Sequence, residues 1–324
     1  MSAVGAATPE LVAAPALSVI IVNWNVRELL RACLDALAKT TATAHQTIVV
    51  DNASADGSVE MLRADFPEIT LIASSDNLGF VAGCEAGYAL ATAPLVLLLN
   101  PDTEVHPGAI DRMVARFAEN PRLGVLGGHL RNTDGSFQRA AGGYFPGLRN
   151  LAWNYLFLNR LLPRRWAPLP LYLETEPAGL DPIDWVSGAA LMLRREAVGD
   201  PIFDPEIFMF GEDMALCHRI AESGWQVRID AEARVTHHHG QSFRQANAHE
   251  VLASVYKGPR HFFRRNRSAA AALAYDAILF AGYAIRVPGY WLAARLRPGR
   301  GYDELARFAC RYLGIMLRGA GRRG

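Results

Sequence analysis

Apolar positions over the first 120 residues fall into two alternating periods. Short continuous runs, Leu17-Ser18-Val19-Ile20-Ile21-Val22, Thr47-Ile48-Val49-Val50, residues 69–72 and Leu95–Leu99, read as strands buried on both faces. Between them apolar residues recur at helical spacing, as in Leu29, Leu30, Cys33, Leu34 and Leu37 within residues 26–40, and again over 58–64, 81–91 and 107–119. Pro107 suits a first helical turn. The alternation predicts an α/β fold: a doubly wound, Rossmann-like, mostly parallel central sheet flanked by helices with right-handed crossovers.

After Arg131 the alternation breaks at the turn signal Asn132-Thr133-Asp134-Gly135. Residues 147–182 are rich in aromatic residues, Leu and Pro and show no clear period, whereas 184–193 read as a strand, 212–222 as a helix and 225–229 as a short strand. Helical patterns dominate from 246 onward. Met1 to Pro15 has no positively charged segment, so it is not a secretory signal and is expected to be a disordered leader. Three parts are therefore expected. A leader covers 1–16. A catalytic domain covers 17–245, with a nucleotide-binding half at 17–130 and an acceptor half at 131–245. A helical tail covers 246–324.

Charge sharpens that division. The chain of 324 residues is 51% hydrophobic with a net charge of +1, yet residues 257–324 carry 14 Lys+Arg against 3 Asp+Glu. The tail's surplus of 11 leaves the rest at −10. An acidic body with a basic helical tail points to contact with an anionic surface, here a membrane rather than nucleic acid. Residues 269–285 are small and apolar but short for a bilayer span, and Arg286, Arg295, Arg297 and Arg300 follow among Tyr290, Trp291 and Leu292. That pattern suits helices lying at an interface. The four cysteines show no Cys-x-x-Cys spacing and imply neither a zinc site nor a disulfide framework, which fits a cytoplasmic protein, peripheral on the inner face of the membrane.

Ligands of open α/β sheets bind beyond the carboxyl ends of the strands. Three polar clusters fall there: Asn23-Trp24-Asn25, Asp51-Asn52-Ala53-Ser54 and Asn77-Leu78-Gly79-Phe80. Each alone is explained by turn formation and helix capping. Together on one edge they predict a nucleotide site. The turn after the first strand has no glycine and no Walker loop is present, which excludes the usual dinucleotide and phosphate-loop solutions. A sugar nucleotidyltransferase would also need a Gly-rich, Lys-containing loop there. A metal ion, Mg²⁺ or Mn²⁺, is then the natural way to neutralise a diphosphate, and Asp102, emerging from the apolar run Leu97-Leu98-Leu99-Asn100-Pro101, is its expected ligand. His237 in Thr236-His237-His238-His239-Gly240 ends a strand-like run and adds a nitrogen ligand suited to Mn²⁺. Glu212 and Asp213 open a helix behind Phe208-Met209-Phe210-Gly211. Acids there gain about 0.3–1 kcal/mol from the helix dipole, and a carboxylate so placed also serves as a general base.

These motifs, in this order, resemble the inverting family-2 glycosyltransferases of GT-A fold. The stretch 17–243 is most similar to the rhamnosyltransferase-like members that build bacterial cell-envelope polysaccharides. The resemblance rests on Val22-Asn23-Trp24-Asn25, Val49 through Ser58, Asn77-Leu78-Gly79-Phe80, Leu98 through Thr103, Asp184-Trp185-Val186-Ser187-Gly188-Ala189, Gly211-Glu212-Asp213 and His237 through Ser242. It implies that Asn23, Asn25, Asp51, Asn77, Gly79 and Asn100 bind the nucleotide, with Asp51 on the base or ribose. Asp102 and His237 would hold the metal, Asp213 would be the base, Glu212 would orient the acceptor, and Trp185, Ser187 and Gly188 would line the sugar and acceptor pocket. It further implies a dTDP- or UDP-sugar donor, with rhamnose the first candidate, and a glycan or lipid-linked acceptor. Ala215 and Cys84 depart from the family's usual acidic residue and Asn, which bears on specificity. The alternative is a catalytically inactive GT-A-like scaffold or sugar-nucleotide-binding subunit.

Overall fold

The computed structural model describes residues 15–207, 209–238 and 248–320. The leader up to residue 14, Phe208, and the motif residues 239–242 lie outside them.

The N-terminal half alternates as the apolar pattern requires. β1 (Leu17–Asn23), α1 (Arg27–Thr40), β2 (His45–Asn52), α2 (Ser58–Asp65), β3 (Thr70–Ser74), α3 (Gly79–Leu90) and β4 (Leu95–Leu99) follow one another. Every residue of β4 is buried, as expected of a strand covered on both faces, and α1 buries Leu30, Cys33, Leu34 and Leu37. The second half comprises β5 (Thr103–Val105), α4 (Ala109–Glu119), β6 (Leu123–Arg131), β7 (Gly142–Gly143), α5 (Leu148–Tyr155), α6 (Leu158–Leu161), β8 (Leu180–Pro182), β9 (Trp185–Val186), β10 (Ala190–Arg194), α7 (Glu212–Glu222) and β11 (Gln226–His237). Three helices follow: α8 (Ala248–Asn266), α9 (Ala269–Leu296) and α10 (Tyr302–Ala320).

Among the described residues the strands form a nine-stranded sheet of order β3-β2-β1-β4-β10-β6-β11-β5, with β8 on β11, and a small β7-β9 pair. β3, β2, β1 and β4 are parallel, while β10 enters antiparallel between β4 and β6. The sheet is thus Rossmann-like on one side and mixed on the other, a departure from a purely doubly wound arrangement.

Four local expectations change. The strand expected over 184–193 is two strands in different sheets, broken at Ser187-Gly188-Ala189. The short strand expected at 225–229 runs on through His237: a register shift between Asp230 and Arg234 bends it locally, after which it still pairs with β6 and also takes β5 on its other edge. Asp230, fully buried at that bend, accepts from Arg112 Nε (2.9 Å) and Arg116 Nε (2.8 Å) of α4. Pro107 stands before α4 rather than in its first turn, because Gly108 takes the left-handed N-cap position (φ 73°). Finally, α9 continues past Arg286 to 28 residues, and an 18-residue stretch within it has a mean hydropathy of 1.4, so by length and composition alone it is able to cross a bilayer.

Candidate active site

The ends of β1 and β2 are knitted by side chains. Asn23 Nδ2 donates to Asp51 Oδ2 (2.8 Å) and Ser54 Oγ (3.1 Å), and Asp51 Oδ1 accepts from the Ser54 amide (2.9 Å). Asn25 closes the neighbouring loop by accepting from the Ala55 amide (2.7 Å), and its own amide donates to Ser54 Oγ (2.9 Å). Asn23 and Asp51 are buried. What this edge presents to a ligand is therefore the loop around Asn25 and Ser54, which the buried pair holds in place. Asn77 is exposed and accepts from the Gly79 amide (2.9 Å) at the start of α3, while Asn52 Nδ2 donates to the Gly79 carbonyl (3.0 Å).

Asp102 and His237 are 135 positions apart in sequence and adjacent in space because β5 pairs with the end of β11, setting Thr103 opposite His237. The His238 amide donates to the Asp102 carbonyl (2.8 Å), and His237 Nε2 lies 3.3 Å from Asp102 Oδ1. Both side chains are buried. His237 Nδ1 lies 2.8 Å from Gln138 Oε1, and an amide oxygen can only accept, so Nδ1 carries the proton. In the neutral ring Nε2 is then a lone pair. It is aimed at Asp102 and is 3.4 Å from Asn100 Nδ2. A lone pair and a carboxylate oxygen converging behind a donor that fixes the tautomer is the donor set a divalent cation takes. Among the described residues no cluster of three or more His, Cys, Asp or Glu side chains forms, and substrate oxygens and water are ordinary further ligands of such a cation. His238 turns away and meets Glu104 Oε1 at 2.6 Å.

Glu212 and Asp213 open α7 after Phe210 and Gly211, both at positive φ (65° and 91°). Asp213 Oδ2 accepts from the Gly188 amide (3.3 Å), and Oδ1 accepts from the Met214 amide (2.7 Å). Gly188 is free to donate because the strand breaks there. The next residue, Ala189, accepts from the Asn100 amide (3.0 Å), two positions before Asp102. The two acids are thus joined through Gly188, Ala189 and Asn100 at one sheet edge. Burial pushes the Asp213 carboxyl up to about 6 against its two amide donors. Glu212 goes further, to about 8, through burial and the neighbouring Asp213 charge, and its Oε2 is buried with no partner among the described residues. Trp185 is buried, and Ser187 Oγ accepts from the Ala189 amide (3.3 Å).

Two contributors escaped the sequence reading. Gln138 follows a turn and nothing marks it as the partner of His237. Gly258 lies inside α8, where a Cβ would stand 1.7 Å from the Phe210 carbonyl oxygen, so only glycine lets α8 press on the turn preceding Glu212. Its neighbour Pro259, within the same helix, was the available hint.

A parallel sheet half with a polar carboxyl edge, an acid beyond β4 and an acid pair opening α7 is the layout of a GT-A type fold. Residues 18–198 match Glycosyl transferase family 2, so the chain belongs to that family and is a glycosyltransferase. It is 29% identical over 263 residues to the N-acetylglucosaminyl-diphospho-decaprenol L-rhamnosyltransferase of Mycobacterium tuberculosis, covering 76% of this chain and 85% of that one. The O-antigen biosynthesis protein RfbC of Myxococcus xanthus is 28% identical over 72% of this chain and 18% of its own length. The mannosyltransferase PcManGT of Pyrobaculum calidifontis, solved with GDP-Man and Mn²⁺, superposes with a TM-score of 0.56 at 15% identity over 96% of this chain and 88% of that chain. GalNAc-T7 with UDP, GalNAc and Mn²⁺ gives 0.53 at 14% identity over 94% and 56%. At such identities these two establish the fold.

Proposed function

We propose that the protein transfers rhamnose, with inversion, from dTDP-rhamnose or a related dTDP- or UDP-sugar to a hydroxyl of a lipid-linked saccharide in cell-envelope synthesis. The observation that carries this is the hydrogen-bonded path from Asp213 through Gly188, Ala189 and Asn100 toward Asp102. The relative that acts on an N-acetylglucosaminyl-diphospho-lipid and spans most of this chain supports the choice of sugar and acceptor.

In this reading residues 17–130 hold the nucleotide. Asp51 and Asn23 fix the loop that meets base and ribose, and Asn25, Asn77, Gly79 and Asn100 complete that edge. Asp102 and His237 would hold Mg²⁺ or Mn²⁺, with Asn100 beside them and Gln138 fixing the imidazole. A divalent cation there offsets the negative charge of the departing diphosphate. Asp213 accepts the acceptor proton as the oxygen attacks the anomeric carbon, a single displacement that needs no covalent sugar intermediate. The Gly188 amide aims the carboxylate, and Trp185 and Ser187 border the acceptor. Glu212, held protonated at neutral pH by its surroundings, orients the acceptor as a hydrogen-bond donor. Retention of both acids supports an active enzyme over the inactive-scaffold alternative. The C-terminal helices set the enzyme on the inner face of the cytoplasmic membrane.

The test is transfer from dTDP-rhamnose to an N-acetylglucosaminyl-diphospho-lipid analogue with Mn²⁺, with the product's anomeric configuration read by NMR. An inverted rhamnoside is expected. A retained configuration overturns the mechanism, and turnover only with another donor overturns the sugar.

A further inference from the structure

The segment 157–172, between α5 and the strands that carry Trp185, is unlike the rest of the surface. Leu161 is 74% exposed, Leu169 62% and Trp166 50%, left open by every described neighbour. Single exposed apolar side chains are ordinary, but a run of them on one segment marks a contact surface. From Gly135 to Leu173 the sequence has no acidic residue, while Arg149, Arg160, Arg164 and Arg165 lie on or beside this segment. Arg160 stands 5.1 Å from the Phe157 ring and Arg165 5.5 Å from the Trp166 ring, so charge and apolar tips are presented together. The segment is also anchored. Arg149 Nη2 donates to the Trp166 carbonyl (2.7 Å), the Leu173 amide donates to the Gly142 carbonyl (3.0 Å), and Tyr172 meets Trp185 edge-on at 5.7 Å.

Its near end joins α9. Arg286 donates to the carbonyls of Tyr155 (2.5 Å) and Asn154 (2.9 Å), and its guanidinium lies 4.2 Å from the Phe157 ring centroid. A Cβ at Gly282 would stand 2.8 Å from the Tyr155 carbonyl oxygen, so the two elements touch backbone to side. The two charges of α9 before Arg295 are both spent inward: Arg286 on α5, and Asp276 on Arg260 Nε (2.8 Å) and Tyr256 OH (2.8 Å). The outward stripe Leu273, Phe280, Ile285, Leu292 and Leu296 is therefore exposed and uncharged until Arg295.

We propose that segment 157–172 and the outer stripe of α9 form one docking surface for an anionic phospholipid bilayer, lying in the plane of the interface. This rests on the membrane-surface reading of the C-terminal helices and extends it to a second segment that adjoins the acceptor side of the site. The occupant follows from the chemistry. Long apolar tips interleaved with arginines and free of acids match acyl chains beneath phosphate headgroups, each basic residue adding to anionic affinity. In-plane docking follows from α9 itself, whose inner face buries Ala272, Tyr275, Leu279 and Gly282 against the rest of the protein. Through Tyr172 and Trp185 the docked segment reaches the acceptor half, so a lipid-linked acceptor meets the site without leaving the bilayer.

The full chain should sediment with vesicles of phosphatidylcholine plus phosphatidylglycerol and far less with phosphatidylcholine alone, and raised salt should weaken it. Replacing Arg160, Arg164 and Arg165 together by Gln should lower partitioning about a hundredfold. Bromine-labelled lipid should quench the wild-type tryptophan emission, and Trp166→Phe should lose much of that quenching. Transfer to a soluble acceptor lacking the lipid should be unchanged in these variants, so failure of the transferase reading shows in the wild type and failure of the docking reading shows only with vesicles. Unchanged partitioning and quenching in the variants overturns the role of 157–172, as does equal binding to neutral vesicles. Carbonate-resistant insertion of the wild type, or self-association abolished by the same variants, assigns the surface to a span or a second copy and equally overturns it.

Discussion

Replacing Glu212 by Gln probes the acid pair while leaving the Asp213 carboxylate in place. Glu212 is 7% exposed, and burial with the Asp213 charge raises its carboxyl from 4.5 to about 8. The folded state therefore keeps a proton that the unfolded chain releases above about 4.5, so wild-type stability falls as pH rises from there to about 8. At about 1.4 kcal/mol for each pH unit between those two values the loss is at most about 5 kcal/mol, shared with Asp213 because the two titrate together. Gln has the same shape and no charge, so the variant lacks this loss. Urea denaturation of both proteins across about pH 4.5 to 9 measures it: the curves should lie close at the acid end and separate with pH, the variant being more stable at the alkaline end. Parallel curves across the range would mean that Glu212 ionises as freely in the fold as in water, and the account of the pair would fail.

The same surroundings set the activity profile: kcat/KM should rise through about pH 6 as Asp213 releases its proton, and a rate flat down to about pH 4.5 would remove Asp213 as the base. Gln138→Leu, which unfixes the His237 ring, should raise the Mn²⁺ concentration needed for half-maximal activity by about 10–100-fold, and an unchanged metal dependence would detach His237 from the cation. Gly258→Ala should lower kcat by about 10²-fold with donor affinity retained, because α8 must then shift the turn before Glu212; unaltered kcat would show that the turn tolerates the shift. Asp230→Ala should cost about 3–5 kcal/mol in unfolding by leaving Arg112 and Arg116 facing a buried gap, and a loss under about 1 kcal/mol would mean the bend of β11 holds without them.

The parallel half of the fold was legible because its signal is local. β4 is five consecutive apolar residues, and α1 repeats Leu30, Cys33, Leu34 and Leu37 at helical spacing. Asp102 and Asp213 stand out as candidates for a related reason, as polar residues set against apolar runs in a recognisable order, and their roles are part of the proposal. What escaped depends on distant partners. The bend in β11 is set by an Asp230 clasp from α4, and the break at Gly188 matters only because α7 arrives beside it. Gln138 became visible only through the ring it holds. The apolar stretch over 269–285 is shorter than α9 because Arg286 interrupts the run, while in the fold Arg286 turns back onto α5 and the helix continues.

The central claim is that Asp213 takes the acceptor proton while the donor is held elsewhere. The direct test is Asp213→Asn, with donor affinity measured by calorimetry in Mn²⁺ and transfer by product formation. Donor affinity should stay within a few-fold of wild type while transfer falls by about 10²–10⁴-fold. Transfer at the wild-type rate, with the carboxylate gone, would contradict it.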